Sequence, residues 1–330
     1  MMVGNSTVTE FILLGFPALI SVQILIFCVF LVFYMLTLSG NFLIILITSA
    51  SKALHTPMYF FLWNLSLLEI FYTSVTIPKM LLNFILKTTS ITFSACVAQV
   101  YFFFALGSIE CTLLAVMAYD RYVAICNPLQ YTLVMNSTTC IALVCGSWIS
   151  GFLNSMVHTI STFHLPFCSS NRINQFFCDI PPLLKVACGD TLPSEVVLVT
   201  VGGAYGFGSF LSTAISYIHI ISTIVKIKST EGRKKAFSTC TSHLTVVTLF
   251  YGTSFSAYLK PTSKYSSEEG NLVPVFYAVI TPTLNPMIYT LRNKEFQKAF
   301  RKIWLRNGHT PLQREEDILT LQERRKSRVG

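Results

Sequence analysis

Charge is what this chain has least of. Only 12% of its 330 residues are Asp, Glu, Lys or Arg, about half the share of an ordinary soluble domain. Water is therefore not the solvent for most of it. The sequence also lacks the short alternating stretches of a membrane barrel, internal repeats and low-complexity tracts. No paired histidines, metal-ligand cluster or activated nucleophile converge as in a membrane enzyme; His164 and Cys168 alone make too small a metal site. Paired broken helices and rings of intramembrane charge, the marks of transporters and channels, are missing too. Residues 1–10 carry no basic n-region. No cleavable signal peptide is expected, and the first long apolar run serves as the targeting anchor.

What is present is apolar length. Hydrophobic residues make up 52% of the chain. Seven runs reach the roughly 20 residues that span a bilayer: 25–49, 58–82, 96–119, 139–163, 195–224, 237–259 and 272–291. Backbone groups in hydrocarbon must be satisfied within the segment, so each run predicts a helix. The fold class is an all-α membrane protein, a seven-helix bundle. Residues 1–24 form an outer segment, 25–291 the membrane domain, 292–305 an amphipathic surface helix and 306–330 a cytoplasmic tail. In 292–305, Phe296, Phe300, Ile303 and Trp304 recur at helical spacing between Lys294, Lys298, Arg301 and Lys302, a pattern suited to an anionic lipid surface.

The net charge of +9 is lopsided. Lys52, Arg121, Lys226, Lys228, Arg233, Lys234, Lys235, Arg292 and the basic tail fall on one side of a seven-span topology. The positive-inside rule makes that side cytosolic and puts the N-terminus outside. These cations flank spans, so no nucleic-acid partner is expected. Of three glycosylation sequons, Asn64 lies in a span and Asn136 faces the cytosol, which leaves Asn5. Four of the ten cysteines, Cys96, Cys168, Cys178 and Cys188, lie outside. Two disulfides are expected there, with three pairings open. The other six read as small packing residues. The outer loop 164–194 is too long for a plain connector and should fold over the mouth of the bundle.

Two strings mark the cytosolic ends of spans: Met117-Ala118-Tyr119-Asp120-Arg121-Tyr122-Val123-Ala124-Ile125-Cys126, and Pro282-Thr283-Leu284-Asn285-Pro286-Met287-Ile288-Tyr289. An Asp-Arg pair is costly at such a place unless it has a task. A proline in a span frees backbone groups that a nearby Asn can satisfy, which makes a candidate hinge. Taking about 1.5 Å and 100° per residue from Arg121, Glu110 lies about 16 Å outward within about 20° of the same face, and Phe103 about 27 Å outward on that face. One stripe of the third helix thus carries an aromatic, an acid and a base. Together these features read as a signal-transducing receptor rather than an enzyme.

With Leu54-His55-Thr56-Pro57-Met58-Tyr59-Phe60-Phe61-Leu62, Lys235-Ala236-Phe237-Ser238-Thr239-Cys240-Thr241-Ser242-His243-Leu244 and Pro286-Met287-Ile288-Tyr289-Thr290-Leu291-Arg292-Asn293 beside the Met117–Cys126 string, four motifs stand in one order. In this the chain resembles the olfactory receptors, a branch of the rhodopsin-like G-protein-coupled receptors. Tyr119 leans toward their tetrapod-type class. Glu69 departs from the family's more frequent Asp but keeps the acid. The resemblance implies an odorant receptor of the plasma membrane, in olfactory cilia, acting through a stimulatory G protein and cyclic AMP. A same-fold receptor for a non-volatile endogenous ligand is the alternative. The resemblance also implies disulfides Cys96–Cys178 and Cys168–Cys188. Coupling falls to Asp120, Arg121, Tyr122, Tyr217, Asn285, Pro286 and Tyr289, with Asp120 holding Arg121 at rest. Glu69 and Glu110, two buried acids with no base nearby, form a candidate sodium or proton site; no other cofactor is expected.

The ligand reading follows from residue types. An amine receptor would carry an acid in the outer third helix, and a retinal pigment a Lys in the seventh; neither is present. A small, uncharged, mostly apolar volatile fits. Position by position, the resemblance implies a pocket walled by Phe103, Phe104, Gly107 and Ser108 of the third helix and Val201, Gly202 and Tyr205 of the fifth. Tyr251, Ser254, Phe255 and Tyr258 of the sixth and Ala278 of the seventh complete it.

Overall fold

The computed structural model describes residues 8–15, 20–86, 89–168, 171–258, 276–291 and 293–308; the side chains of Ile20, Ser21, Lys235, Thr239, Tyr258, Phe276, Leu291 and residues 305–308 are outside that description. Helix dominates, as the apolar solvent demands. The long helices are α1 (Ile20–Ala50), α2 (Pro57–Leu86), α3 (Phe93–Cys126), α4 (Ser137–Phe163), α5 (Leu192–Lys226), α6 (Thr230–Tyr258) and α7 (residues 276–291). A further helix, α8, follows at Lys294–Gly308. Helices α1 to α5 are each long and apolar enough to cross a bilayer. Residues 272–275, expected to open the seventh span, fall outside the described residues.

The helices run past the apolar runs because polar side chains at their ends do not interrupt backbone hydrogen bonding. Helix α3 continues to Cys126, where Asn127-Pro128 stops it. Helix α2 opens on Pro57, whose missing N–H costs nothing in a first turn. Asn136 caps α4 by accepting from Thr139 N at 2.9 Å. Asn293 caps α8, its Oδ1 accepting from Glu295 N and Phe296 N, both at 3.1 Å.

The bundle is apolar inside and out. Phe61, Leu65, Leu68, Ile109 and Leu113 are fully enclosed. Val32, Phe42, Ile149 and Ile218 point outward and are more than half exposed. In water so broad an apolar surface would be a liability; against lipid it is the expected exterior. Cys140 and Cys240 are buried packing residues, whereas Cys28 and Cys145 face outward, which corrects the packing assignment for those two. On α8, Phe296 is buried and Trp304 exposed, with Phe300 and Trp304 ring centroids 5.9 Å apart.

The outer end holds an element with no periodic signal, a three-stranded sheet. Strand β1 (Glu10–Leu13) lies between β2 (Ser90–Thr92) and β3 (Arg172–Ile173). It pairs antiparallel to β2, Phe11 opposite Ile91, and parallel to β3, Leu13 opposite Ile173. Phe11 and Leu13 are buried against Cys96, Val100 and Leu183. The segment before the first span is thus partly built into the outer cap rather than being only a leader to the bundle.

Candidate functional site

A cavity of about 380 Å³ opens between α3, α4, α5, α6 and α7 near the outer end. Among its lining residues are Phe103, Phe104, Gly107 and Ser108 from α3, Gly202 and Tyr205 from α5, and Tyr251, Ser254 and Phe255 from α6. Gly107 leaves space: a Cβ there would meet only the Tyr72 ring, at 3.8 Å. Gly202 ends a π turn, Leu198–Gly202, inside α5. Such a turn bulges the helix locally and is frequent at functional sites; Leu198, Val199 and Gly202 all line the cavity.

Two expected wall positions differ, and a third lies outside the described side chains. Val201 is 39% exposed and does not line the cavity; on a helix its neighbour Gly202 takes the inward face. Ala278 is fully buried in helix packing, and Tyr277 is the seventh-helix wall instead. Both residues lie in a π turn, Phe276–Ile280. The Tyr258 side chain is outside the described residues. Sequence reasoning also missed α4 altogether: Asn154 and His158 line the cavity. Their spacing of four puts them on one helix face, and that polar pair in an apolar span was the available signal.

The roof is the long outer loop. Phe176, Phe177 and Cys178 are buried, and the loop carries a short helix, Ile180–Val186. Disulfides join Cys96 to Cys178 and Cys168 to Cys188. Gln99 ties the loop further, accepting from Cys178 N at 2.8 Å and donating to Val75 O at 2.9 Å. Phe103 is the hub beneath: its ring lies 4.9 Å from both Tyr72 and Phe177 and 5.8 Å from Tyr277. Tyr277 OH donates to Asp179 Oδ2 at 2.9 Å, fastening α7 to the loop. Tyr251, in the cavity wall, donates to Cys111 O at 3.2 Å, which links α6 to α3.

Below the cavity lies a polar layer. Asn285 Nδ2 donates to Glu69 Oε1 at 2.5 Å, and Glu69 and Glu110 are close enough to feel each other's charge. Four buried oxygens there, Asn41 Oδ1, Glu69 Oε2, Glu110 Oε1 and Asn285 Oδ1, have no hydrogen-bond donor. Buried orphans of this kind are rare in folded proteins. Thr37 and Thr283 hydroxyls meet at 2.7 Å beside them. Gly40 lets α1 approach Pro286, since a Cβ would come within 3.0 Å of the ring.

The inner end opens into a second cavity, about 610 Å³, lined by Met117, Arg121, Glu231, Lys234, His243, Tyr289, Lys294 and Glu295 among others. No ion pair between Asp120 and Arg121 occurs among the described residues; Asp120 Oδ1 accepts from Tyr131 OH at 2.8 Å. Burial, then the Asp120 carboxyl, keep the Tyr131 phenol above its ordinary range and hence a donor. Successive helix residues point about 100° apart, so Asp120 faces the inner loop while Arg121 faces the cavity. Tyr217 OH and His243 Nδ1 lie 2.7 Å apart, joining α5 to α6. Tyr122 packs on His219, centroids 5.7 Å apart, and Tyr289 OH has no partner. Asn5 lies outside the described residues.

One cavity that can take a ligand, another that can take a partner, and a polar layer between them are what signalling across a bilayer requires. The class so defined is the seven-helix receptor. A family profile described as "Olfactory receptor" matches residues 27–307. The chain is 48% identical to Olfactory receptor 1G1 of Gorilla gorilla gorilla over 307 residues, covering 93% of this chain and 98% of that protein. It is 50% identical to Olfactory receptor 9G4 of Homo sapiens, covering 92% and 93% respectively. Olfactory receptor 5AR1 of Mus musculus is 48% identical, with 91% and 97% covered. The chain belongs to the olfactory receptor family. It is an odorant receptor of the G-protein-coupled type, a multi-pass protein of the plasma membrane, and its family is not one of enzymes.

Proposed function

We propose that this receptor takes small, uncharged, mostly apolar volatiles in the outer cavity and signals through a stimulatory G protein to raise cyclic AMP. The observation that carries the ligand class is the lining. It is aromatic and aliphatic, and no Lys, Arg, Asp or Glu lies among the described lining residues. A charged ligand would be stranded there. Burying about 150–200 Å² of ligand surface at roughly 25 cal/mol/Å² yields about 4–5 kcal/mol before association costs. Affinity from this burial alone is then about millimolar, and set mainly by shape.

Arg121 at the floor of the inner cavity is the contact for the G protein, with Tyr217, Tyr289 and Pro286 as the parts that rearrange. The N-terminus is outside with glycan on Asn5, the basic inner face lies against anionic lipid, and the receptor works in olfactory cilia. The layer of Glu69, Glu110, Asn41 and Asn285 suits a sodium ion or a proton, because its four donorless oxygens match a hard cation. A cation there would neutralise one of two carboxylates that cannot both ionise freely.

The test is a panel of volatiles on cells reporting cyclic AMP, with Gly107→Leu beside the parent. A leucine at Gly107 fills the cavity, so potency for every agonist should fall at least tenfold at matched surface level. Unchanged dose–response curves in that variant would place the ligand elsewhere.

A further inference from the structure

The outer cavity is closed above and open at one side. In the roof, Phe177, Cys178, Ile180 and Leu183 are at most 1% exposed, and the loop that carries them is stapled by two disulfides. The wall of α5 is different. Val199, Gly203 and Phe207 recur every fourth residue and so share one flank of the helix, and all three line the cavity. Yet Val199 is 62% and Phe207 58% exposed. Between them, a Cβ at Gly203 would meet nothing within 4 Å, and the same holds at Gly206. The flank is the one toward α6. Phe207 stands 6.4 Å from Phe210, and Phe210 packs on Tyr251 and Phe255 of α6 with centroids 5.2 and 5.6 Å apart. Outward of that cluster, no ring contact or hydrogen bond joins α5 to α6 among the described residues. The other flank is shut: Gly202 lies against His158, and Tyr205 OH is 2.9 Å from Ser150 Oγ of α4.

The exposed α5 side chains around this gap, Val196, Val199, Phe207 and Leu211, are apolar, so the gap opens on lipid and not on water. An apolar volatile concentrates in lipid for the same reason that it enters the cavity. We propose that odorants reach the outer cavity from the bilayer, through a portal between α5 and α6 framed by Val199, Gly203 and Phe207, rather than through the roof. The glycines leave the passage wide, and Phe207 is its door. An exposed side chain changes rotamer in picoseconds to nanoseconds, so the portal opens without moving a helix. Neutral, lipid-soluble molecules pass; ions and strongly hydrated molecules, which hydrocarbon excludes, do not. A fastened roof and an exchangeable ligand then coexist. The inference rests on the outer cavity being the odorant site, and goes beyond it by giving the route and, with it, the solubility class of the ligand.

The cavity carries its own reporter, the free thiol of Cys111 in its lining. Cys28 and Cys145 are exposed and report how much reagent the lipid holds. Full-length receptor in isolated membranes is treated with N-hexylmaleimide, a neutral, lipid-soluble reagent, and alkylation of each cysteine is followed by peptide mapping. Gly203→Phe plugs the gap and should slow alkylation of Cys111 by about tenfold or more, as a gate on access would, while Cys28 and Cys145 react as in the parent. Val199→Trp narrows the same gap from an exposed position and should act alike, so a folding defect in one variant leaves the other to decide. The double variant Cys168→Ser/Cys188→Ser loosens the roof and should leave the Cys111 rate nearly unchanged. A Cys111 rate that neither plug lowers, or that rises on loosening the roof, overturns the portal. So does a Cys111 that stays unmodified in the parent while Cys28 and Cys145 react to completion. The odorant reading fails separately: if no volatile activates the parent receptor, the identity of the cargo falls, and the labelling alone decides the portal.

Discussion

The two ends of this bundle are built on opposite plans. The outer end is fastened. Two disulfides, a three-stranded sheet and the Gln99 and Asp179 hydrogen bonds hold the long loop over a cavity of about 380 Å³. The inner end is charged and lightly tied. Its cavity of about 610 Å³ meets Arg121, Glu231, Lys234 and Lys294, and α6 is joined there by single contacts such as Tyr217–His243 and Ser242 Oγ to Ile288 O at 3.2 Å. A fixed end suits recognition, because a pre-formed site loses little ordering entropy on binding. A lightly tied end suits switching, because helices there can shift without breaking a core. Rearrangement should therefore be confined to the inner half, with the polar layer around Glu69 as the joint.

The sharpest break of that contrast is at Arg121. It faces the inner cavity without an ion-pair partner among the described residues, and its guanidinium fork cannot be imitated by a shorter side chain. Arg121→Ala should abolish the cyclic AMP response while surface expression and agonist-independent folding stay near parent levels. Because Asp120 is engaged by Tyr131 instead, Tyr131→Phe should raise basal activity far less than loss of an Arg121 ionic lock would. An undiminished agonist response in Arg121→Ala would show that the inner cavity is not where the partner meets the receptor.

The outer end should break through stability rather than signalling. The Cys96–Cys178 bond closes 82 residues and Cys168–Cys188 closes 20. Loop-closure entropy makes the first worth about 4.5 kcal/mol and the second about 3.3 kcal/mol in the chain-entropy picture. Cys96→Ser should thus lower surface level more than Cys168→Ser, measured by flow cytometry of intact cells. The agonist potency of whatever Cys168→Ser receptor reaches the surface should be nearly unchanged. A larger loss from Cys168→Ser would mean that the roof, not its tie to α3, carries the stability of this end.

The difference between the ends also governed what could be read from the residues. The spans were legible because an apolar solvent allows only one solution to backbone hydrogen bonding. The α3 stripe of Phe103, Glu110 and Arg121 followed from helical geometry alone, and Phe103 and Glu110 are indeed buried. The sheet was not legible, since Glu10–Leu13 gains its partners only when β2 and β3 arrive from distant parts of the chain. Nor were the π turns at Leu198–Gly202 and Phe276–Ile280. In the second of these turns Tyr277 lines the cavity and Ala278, the residue expected there, is buried in helix packing. The Asn154 and His158 pair of α4 did carry a signal, two polar residues four apart in an apolar span, but only the cavity beside them gives that pair a meaning.

The smallest expected effect sharpens the comparison at the joint itself. Glu69 accepts from Asn285 through Oε1, while its Oε2 and three neighbouring oxygens have no donor. If a sodium ion sits among them, it favours this packing of α1, α2, α3 and α7, and raising external sodium at constant ionic strength should oppose rearrangement at Pro286. Agonist potency in the parent should then fall by up to about tenfold, a coupling of about 1.4 kcal/mol. Glu69→Gln keeps an acceptor for Asn285 but removes the charge a cation needs, so its dose–response curve should not move with sodium. A glutamine also resembles a protonated glutamate. If the parent shows no sodium effect and Glu69→Gln matches it throughout, the layer holds a proton. If the parent responds to sodium and Glu69→Gln responds equally, the ion acts elsewhere, and the polar layer is not the joint between the fixed and the movable end.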